Sequence, residues 1–418
     1  MEQYCAIIKC VQNFSPKKGK VYFMKVKQWL ASSLAVLMLV STVGCGDNSS
    51  SSKAESKSNN SSAVVSETAM PEKDYATTTD GSAKVKIDGT KFMVGDKELW
   101  LNGVNAPWDK WNDFGGGFNF EFWQDHFQKL HNSGVNAARI WIICNGDVGM
   151  AISADGTFDG ATTAHWEDLD NLFYLAEQYQ IYIMATVQSF DNFKDQNQNY
   201  QAWRTLIQDS DKTDMFVDNY IVPLVQRYGK SDYFWSVDLC NEPDWIVENE
   251  ECGKLDWLYL EQYYAKAAAA IHANSDVLVT VGMGMIKYNS DSQQGNKISD
   301  SELQDVLSGD KYDKSLAYVD FYSTHWYTWM QGMWGYPFSE SPTDFGLDGT
   351  KPCVIGDSDF DITSAYEDAY NNGWNGVFAW KTSGQDDGCG LWLDIQPAIE
   401  KMAGICEDKI FPNGKKAV

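Results

Sequence analysis

The sequence predicts a (β/α)8 barrel with elaborated βα loops, preceded by an N-terminal β-hairpin. Eight short apolar runs recur along residues 83–412, and they are nearly continuous rather than alternating, as in parallel strands covered on both faces. Helical stretches lie between them, and eight such units in about 330 residues fit one barrel. An open doubly wound sheet is the alternative. No G-x-G-x-x-G follows the first run and no Walker motif occurs, which disfavours nucleotide binding by such a sheet.

The predicted strands are the apolar runs themselves. In chain order they are Leu99–Val104, Val135–Trp141, Ile181–Val187, Phe234–Leu239, Val277–Met283, Tyr318–Tyr327, Pro352–Ile355 and Gly376–Trp380. Helices are predicted where apolar residues recur at spacings of three and four. They are Phe120–His131, Trp166–Tyr179, Met215–Tyr228 and Trp257–Ala273. Before the barrel, a turn signal at Asp88-Gly89-Thr90 predicts a hairpin between Val85–Ile87 and Lys91–Val94.

The chain is strongly acidic and rich in aromatic residues. Its 418 residues include 33 Lys and Arg against 58 Asp and Glu, which gives a formal net charge of −25. This charge excludes nucleic-acid binding by phosphate neutralisation. The hydrophobic fraction of 44% allows a sizeable core and excludes a wholly disordered chain. The 17 Trp and 21 Tyr residues point to a neutral ligand with apolar faces, although a well-packed core would also use them.

Residues 1–45 are predicted to be an N-terminal extension and a lipoprotein-type signal peptide rather than part of the fold. Lys25 and Lys27 precede an apolar run, Trp29–Val40, which is too short for a permanent membrane-spanning helix. The tetrapeptide Thr-Val-Gly-Cys that ends at Cys45 resembles a bacterial lipobox, in which this cysteine is lipidated. Ordinary cleavage nearby is the alternative. The sequence thus predicts an extracellular, cell-surface lipoprotein of a bacterium, attached to the membrane only through this lipid.

The rest of the chain divides into three further segments. Residues 46–82 are rich in serine and have little to bury, so they are predicted to form a flexible linker. Residues 83–412 are predicted to form the barrel domain, and residues 413–418 a short C-terminal tail. We expect the domain to be a monomer.

The remaining cysteines leave the disulfide state open. Those beyond Cys45 are Cys144, Cys240, Cys252, Cys353, Cys389 and Cys406. An exported chain with an even number of cysteines can form disulfides, but a free buried cysteine in an apolar run is equally usual. The sequence has no C-x-x-C pair and no H-E-x-x-H motif, and its five histidines are scattered. We therefore predict no metal site and no cofactor.

Polar and aromatic side chains cluster at the predicted carboxyl ends of the strands, where barrel enzymes carry their chemistry. In strand order they are Asn102–Asn105 with Trp108 and Trp111, then Arg139 and Trp141, Cys240–Trp245, His325–Tyr327, Gly356–Asp359 and Trp380. Each alone has a structural explanation, but packing seldom places them all together. Two carboxylates across a barrel mouth suit cleavage of a glycosidic bond, one as proton donor and the other as nucleophile. Flat aromatic rings suit the C–H faces of sugars.

Several of these motifs resemble those of glycoside hydrolase family 5, a family of retaining (β/α)8 enzymes that act on cellulose, mannan and related β-glycans. The matches are Asn-Glu-Pro at strand 4, His-x-Tyr at strand 6, Ile-Gly-acid at strand 7 and Trp at strand 8, between Trp100 and Trp380. The resemblance implies a glycoside hydrolase that cleaves β-1,4-linked mannan or glucan. It implies that Glu242 is the general acid/base and that Asp357 stands at the nucleophile position. It also implies a substrate-binding set: Arg139, Asn241, His325, Tyr327, Trp380 and Trp108.

The resemblance further implies a role for most members of this set. Asn241 would bind the 2-hydroxyl of the sugar, and Trp380 would form a platform for the ring beside the scissile bond. Arg139 would hold the nucleophile, while His325 and Tyr327 would orient it. The implied partner is a neutral β-glycan.

One departure from the family pattern concerns Asp357, because the family has glutamate there. Aspartate is shorter by one C–C bond, about 1.5 Å. The shorter side chain would widen the carboxyl separation towards the range of inverting enzymes, roughly 6.5–9.5 Å, or impair the site. Otherwise the strand shifts so that Asp357 still attacks, or Asp359 replaces it. A tethered glycan-binding protein with impaired catalysis is therefore the alternative function.

A second departure concerns the third strand. Many family members carry a histidine-bearing segment there, whereas this chain has Gln188, which is expected to supply a hydrogen bond instead. No motif distinguishes mannan from glucan, or endo from exo action.

Overall fold

The computed structural model describes residues 80–290, 297–359, 364–384 and 391–418. Within these residues, eight parallel strands close into a barrel in which each strand pairs with its neighbours in chain order. This arrangement confirms the predicted (β/α)8 fold. The predicted signal peptide with Cys45, and all but the last residues of the predicted linker, lie outside the described residues.

The strands are numbered in chain order. A three-stranded antiparallel sheet precedes the barrel: β1 (Val85–Asp88), β2 (Lys91–Val94) and β3 (Lys97–Leu99). The barrel strands are β4 (Leu101–Asn105), β5 (Ala137–Trp141), β8 (Tyr182–Thr186), β9 (Phe234–Asn241), β10 (Leu278–Met283), β11 (Tyr322–Trp326), β12 (Cys353–Ser358) and β13 (Gly376–Ala379). Strands β6 (Met150–Ile152) and β7 (Phe158–Ala161) form a small sheet in the loop after β5.

Helices cover the outside of the barrel and fill its loops. The α-helices are α1 (Phe120–Ser133), α2 (Thr163–Gln178), α3 (Tyr200–Gln208), α4 (Ser210–Phe216), α5 (Val222–Tyr228), α6 (Asp244–Glu248), α7 (Trp257–Asn274), α8 (Asp300–Val306), α9 (Gln331–Trp334), α10 (Pro342–Phe345), α11 (Ala365–Asn371) and α12 (Trp392–Ile410). A π-helical turn, Val217–Ile221, joins α4 to α5. All four predicted helices are present.

The strand boundaries differ from the predicted ones mainly at the barrel mouth. β9 continues to Asn241 and β12 to Ser358, because polar residues there still pair with the neighbouring strands. The predicted start of the sixth strand was wrong, since β11 begins at Tyr322 rather than Tyr318. The predicted hairpin is present and continues into β3.

The N-terminal sheet covers the amino-terminal end of the barrel. Phe92, on β2, is fully buried, and its ring packs edge-on against Trp235 and Phe321 at centroid distances of 5.2 and 5.3 Å. Trp235 lies at the start of β9, and Phe321 immediately precedes β11. The ring of Phe92 therefore seals the bottom of the barrel, opposite the strand ends that carry the polar residues.

Phe92→Ala should lower the free energy of unfolding by about 3–5 kcal/mol, because it removes a buried ring and leaves a cavity against two aromatic neighbours. Urea denaturation followed by tryptophan fluorescence would measure this change. Lys86→Ala, at an exposed position of the same sheet, is the matched control and should change it by less than about 0.5 kcal/mol. Equal effects of the two variants would contradict this role of Phe92.

The last residues of the chain are attached to the same end of the barrel. The backbone N–H of Lys416 donates to Gln180 at 2.7 Å, and the amide of Asn413 donates to the carbonyl of Ser82 at 3.0 Å. Nearby, the N–H of Ala83 donates to Asp232, just before β9. The segment predicted to be a tail thus hydrogen-bonds to the barrel, and both ends of the domain lie together at its bottom.

The described cysteines are buried free thiols: Cys144, Cys240, Cys252, Cys353 and Cys406. Cys389 lies outside the described residues. Within the part of the chain that the structure describes, no helix combines the length and apolar character needed to cross a membrane.

Candidate active site

Glu242 follows β9 directly and turns the chain into helix α6. Its backbone has a φ of +50°, in the left-handed region that is unfavourable for a residue with a Cβ atom. Two hydrogen bonds hold this conformation: the N–H of Glu242 donates to the carbonyl of Gly282 at 2.7 Å, and its carbonyl accepts from the N–H of Trp245 at 3.1 Å. The turn aims the carboxyl group into the barrel mouth, where the side chain keeps 13% of its surface exposed.

Both oxygens of the Glu242 carboxyl group have a partner. The indole N–H of Trp245 donates to Oε2 at 3.0 Å, and Nδ1 of His325 lies 3.1 Å from Oε1. Burial raises the pKa of Glu242 to about 7, against the opposing effect of Arg139. Burial also lowers the pKa of His325 to about 3, so this ring is neutral. Glu242 can therefore hold a proton near neutral pH, as a general acid must.

Asp357 lies near the end of β12 and is almost completely buried. Tyr327 donates its hydroxyl proton to Oδ1 at 2.9 Å, and Nη1 of Arg139 donates to Oδ2 at 3.3 Å. Burial raises the pKa of Asp357 to about 6, while His325 and Arg139 counteract the rise. As the pH rises, Asp357, which is paired with Arg139, thus loses its proton at a lower pH than Glu242 does.

A bulge in β12 brings this short side chain into position. Thr324 pairs with Ile355, but the next residue, His325, pairs with Asp357, so Gly356 is the extra residue on β12. A Cβ atom on Gly356 would lie 2.0 Å from Oγ of Ser323, which only a glycine avoids. The pairing therefore places Asp357 directly beside His325.

The two carboxyl groups lie close together. One oxygen of Glu242, one oxygen of Asp357 and one ring nitrogen of His325 all lie within 4.8 Å of one another. The nearest carboxyl oxygens of Glu242 and Asp357 are thus no more than 4.8 Å apart, which fits the roughly 5–5.5 Å between the carboxyl groups of retaining glycosidases. Among the described residues, this is also the only group with the spacing to hold a metal ion. The guanidinium of Arg139 beside Asp357 disfavours a cation there.

Arg139 is fully buried and connects both sides of the site. Its Nε and Nη2 both donate to Oδ2 of Asp238, at 2.9 and 2.6 Å, and Nη2 also donates to Asn241 at 2.9 Å. Asp238, at 2.6 Å, is thus a closer partner of Arg139 than Asp357, at 3.3 Å, and the family resemblance did not indicate it. An acidic residue inside the apolar run of β9 was the available signal. Gly282 leaves room for the pair, since a Cβ atom there would lie 2.8 Å from Nη2.

An aromatic cluster lies at the barrel mouth beside Arg139 and consists of Trp108, Trp141 and Trp380. Their rings meet edge to face, with centroids 5.2–5.9 Å apart, and Trp141 also lies 4.3 Å from the guanidinium carbon of Arg139. Trp111, which is partly exposed, contacts Trp108 at 4.7 Å. The aromatic residues predicted at strands 1, 2 and 8 therefore do come together beside the buried ion pair.

The structure gives hydrogen-bond partners for His325 and Asp359 and, among the described residues, none for Gln188. His325 was expected to orient Asp357, but its hydrogen bond goes to Glu242, although its ring also lies near Asp357. Gln188 is buried, and its amide makes no hydrogen bond to the described residues. Asp359 follows the end of β12 and accepts the backbone N–H of Thr328 with both carboxylate oxygens, each at 3.0 Å. These hydrogen-bond partners depend on packing between residues that are distant in the sequence, so the local sequence does not indicate them.

The chain is similar in sequence to mannan endo-1,4-beta-mannosidases. No model of a protein family matches the sequence. The chain is 26% identical over 355 residues to a mannan endo-1,4-beta-mannosidase of Cryptopygus antarcticus, a match that covers 77% of this chain and 90% of that protein. A mannan endo-1,4-beta-mannosidase of Arabidopsis thaliana is 23% identical over 59% of this chain and 62% of its own length.

Solved structures give the same fold. The endo-1,4-beta-mannanase of Eisenia fetida superposes with a TM-score of 0.67 at 21% identity, over 77% of this chain and 95% of that chain. The beta-1,4-mannanase of Aplysia kurodai does so with a TM-score of 0.65 at 23% identity, over 80% and 99%. The relatives and structural neighbours of this chain are glycoside hydrolases, and the comparisons support the same class for the chain itself.

Proposed function

We propose that this protein is a retaining endo-β-1,4-mannanase in which Asp357 is the nucleophile and Glu242 the general acid/base. The observation that carries the proposal is the close pair of carboxyl groups, each with its own hydrogen-bond partners. We propose mannan rather than glucan as the substrate because the sequence relatives are named for action on mannan. The alternative of an impaired glycan-binding protein is not favoured, since Asp357 retains a full set of partners.

The first step forms a covalent intermediate. An oxygen of Asp357 bonds to the anomeric carbon while the bond to the leaving oxygen breaks, and Glu242 gives its proton to that oxygen. Arg139 and Tyr327 hold the attacking carboxylate. In the second step Glu242, now ionised, takes a proton from water, and the water oxygen displaces Asp357 from the anomeric carbon.

The remaining predicted residues have supporting roles. Neutral His325 keeps the carboxyl group of Glu242 oriented towards the leaving oxygen. Asn241 is held by Arg139 next to the acid, in position to bind the 2-hydroxyl of the sugar. Trp380 and Trp108 offer apolar surface for the sugar ring.

The experiment that tests the proposal is to incubate the purified domain with linear β-1,4-mannan and with a soluble β-1,4-glucan. We expect reducing ends to form from mannan at a higher rate, and proton NMR to show the β-anomer first, as retention requires. An α-anomer formed first would contradict the retaining mechanism. Binding of mannan without any release of reducing ends would contradict the enzymatic function.

The rate should have a narrow pH optimum. We expect kcat/KM on mannan to fall below about pH 6, where Asp357 takes up a proton, and above about pH 7, where Glu242 loses its proton. The two apparent values belong to the coupled pair. Initial rates at low substrate concentration from about pH 4 to about pH 9, roughly 2.5 units either side of the optimum, would measure them. Glu242→Gln should remove the alkaline limb, and an unchanged alkaline limb would contradict the assignment of the acid.

We also propose that the mature protein is exported and anchored through lipidated Cys45. The support is the sequence of the signal region alone: two lysines, a short apolar run and a lipobox-like tetrapeptide, followed by a serine-rich linker. Expression with a radiolabelled fatty acid should label the full chain, and Cys45→Ala should abolish the label. Labelling that persists in this variant would contradict the anchor.

A further inference from the structure

A buried carboxyl group next to the acid has no part in the proposed mechanism. Asp244 is the first residue of α6, two residues after Glu242, and it is fully buried. Its Oδ1 accepts the backbone N–H of Gly284 at 2.9 Å, and its Oδ2 has no hydrogen-bond partner among the described residues. Burial, and then the neighbouring Glu242, raise the pKa of Asp244 well above its usual range, so this carboxyl group keeps its proton at neutral pH.

The hydrogen bond of Asp244 leaves its own helix. An acidic residue in the first turn of a helix usually interacts with the free N–H groups of that turn. Asp244 instead reaches Gly284, which directly follows β10. The backbone N–H of Glu242 donates to the same segment, at the carbonyl of Gly282. The turn from Glu242 to Asp244 is therefore attached at two points to the end of β10.

These attachments matter because the backbone of Glu242 is strained. Its φ of +50° is unfavourable for a residue with a side chain and persists only where the surrounding structure holds it. The bond to Gly282 acts on Glu242 directly, and the bond between Gly284 and Asp244 holds the same two segments together. Without Asp244, Gly284 loses its bond to this turn, and the conformation of Glu242 loses part of its support.

Gly284 also packs against the side chains of both acidic residues. A Cβ atom on Gly284 would lie 2.8 Å from Oδ2 of Asp244 and 3.2 Å from Cγ of Glu242. The first of these distances is shorter than an ordinary contact between carbon and oxygen. Only a glycine therefore lets both side chains come this close to the β10 backbone, and the three residues form one packed unit next to the site of proton transfer.

We propose that Asp244 is a positioning residue for the general acid. It holds Gly284 against the side chain of Glu242 and so keeps the carboxyl group of Glu242 aimed at the leaving oxygen. This role rests on the proposed function and extends it by a residue that acts through Glu242 rather than on the sugar. A misplacement of about 1 Å can cost on the order of a hundredfold in rate. Loss of Asp244 should therefore slow the steps in which Glu242 moves a proton and spare a step that needs none.

The test compares two leaving groups. The sugar that departs from mannan needs a proton from Glu242, whereas dinitrophenolate departs from a dinitrophenyl mannoside without one. Asp244→Ala should lower kcat on mannan about 10- to 100-fold, and it should change the rate of the dinitrophenolate burst less than about twofold. Asp244→Asn keeps an oxygen that can accept from Gly284, so it should stay within about threefold of the parent on both substrates.

Two further variants complete the test. Gly284→Ala leaves Asp244 in place but forces a methyl group against both acidic side chains. It should give the same dependence on the leaving group, and it decides the question if Asp244→Ala does not fold. Glu248→Ala is the matched control, because Glu248 also joins α6 to the loop after β10, through Lys287 and Tyr288, but lies at the far end of the helix. It is exposed, and its loss should change neither rate.

Equal losses of Asp244→Ala on the two substrates, or unchanged hydrolysis of mannan, would overturn the positioning role. A loss in Asp244→Asn as large as that in Asp244→Ala would also overturn it, because the amide keeps the bond to Gly284. The same leaving-group-dependent loss in Glu248→Ala would do so too, since any loosening of α6 would then suffice. A parent protein that releases neither reducing ends from mannan nor dinitrophenolate would overturn the proposed function itself, and the role of Asp244 with it.

Discussion

Asp357→Asn should abolish mannan hydrolysis, with a loss of about four orders of magnitude or more in kcat. The amide cannot form the bond to the anomeric carbon, although it keeps the size of the side chain, and its one oxygen can still accept a hydrogen bond from either Tyr327 or Arg139. Release of reducing ends from mannan, followed over long incubations at high protein concentration, would measure the residual rate.

Two further variants of Asp357 test whether this residue acts as the nucleophile rather than only supporting the structure of the site. Asp357→Glu should lower kcat, because the bulge in β12 already brings the shorter carboxyl group into contact with Tyr327 and Arg139, and an added methylene would overpack this buried position. Such overpacking costs about 1–3 kcal/mol. Asp357→Ala should regain turnover with azide and yield the α-mannosyl azide, since azide then attacks from the vacated face. Hydrolysis by Asp357→Asn at the parental rate would remove this residue from the mechanism.

Glu242→Gln should lower kcat on mannan by about 10²–10⁴-fold while leaving the affinity for mannohexaose within a few fold. The glutamine side chain keeps the shape and still accepts the indole N–H of Trp245, but it has no proton to give to the leaving oxygen. Steady-state rates and calorimetric binding would separate the two effects.

The leaving group supplies the control for this variant. A dinitrophenyl mannoside departs without protonation, so the first step should be nearly as fast in Glu242→Gln as in the parent, and a burst of dinitrophenolate should precede slow turnover. If Glu242→Gln lowered the rate of the first step equally for mannan and for the dinitrophenyl mannoside, the role of Glu242 as general acid would be contradicted.

The fold was predictable because buried parallel strands have an unusually direct signature. Strands that are covered on both faces consist of continuous apolar residues. Each of the eight predicted apolar runs overlaps a strand of the barrel. Their ends were less predictable, since Asn241 and Asp357 are polar and resemble loop residues while still pairing with neighbouring strands. The bulge at Gly356 has no signal in local sequence, because it depends on how β11 and β12 meet.

The residues of the candidate site were predictable from the sequence, but the hydrogen bonds and ion pairs between them were not. Strand-end position and motif order brought out Glu242, Asp357 and Arg139, which the structure places in contact or close together. The partner of a buried group depends on the three-dimensional arrangement, so the pairing of Arg139 with Asp238 was missed.

The shared position of the two ends of the domain has a consequence for how the protein meets its substrate. Ser82 and Asn413 are hydrogen-bonded to each other at the bottom of the barrel, where Phe92 seals the interior, and the carboxyl groups lie at the opposite end. A long polymer can therefore approach the barrel mouth from a side that neither Ser82 nor Asn413 occupies.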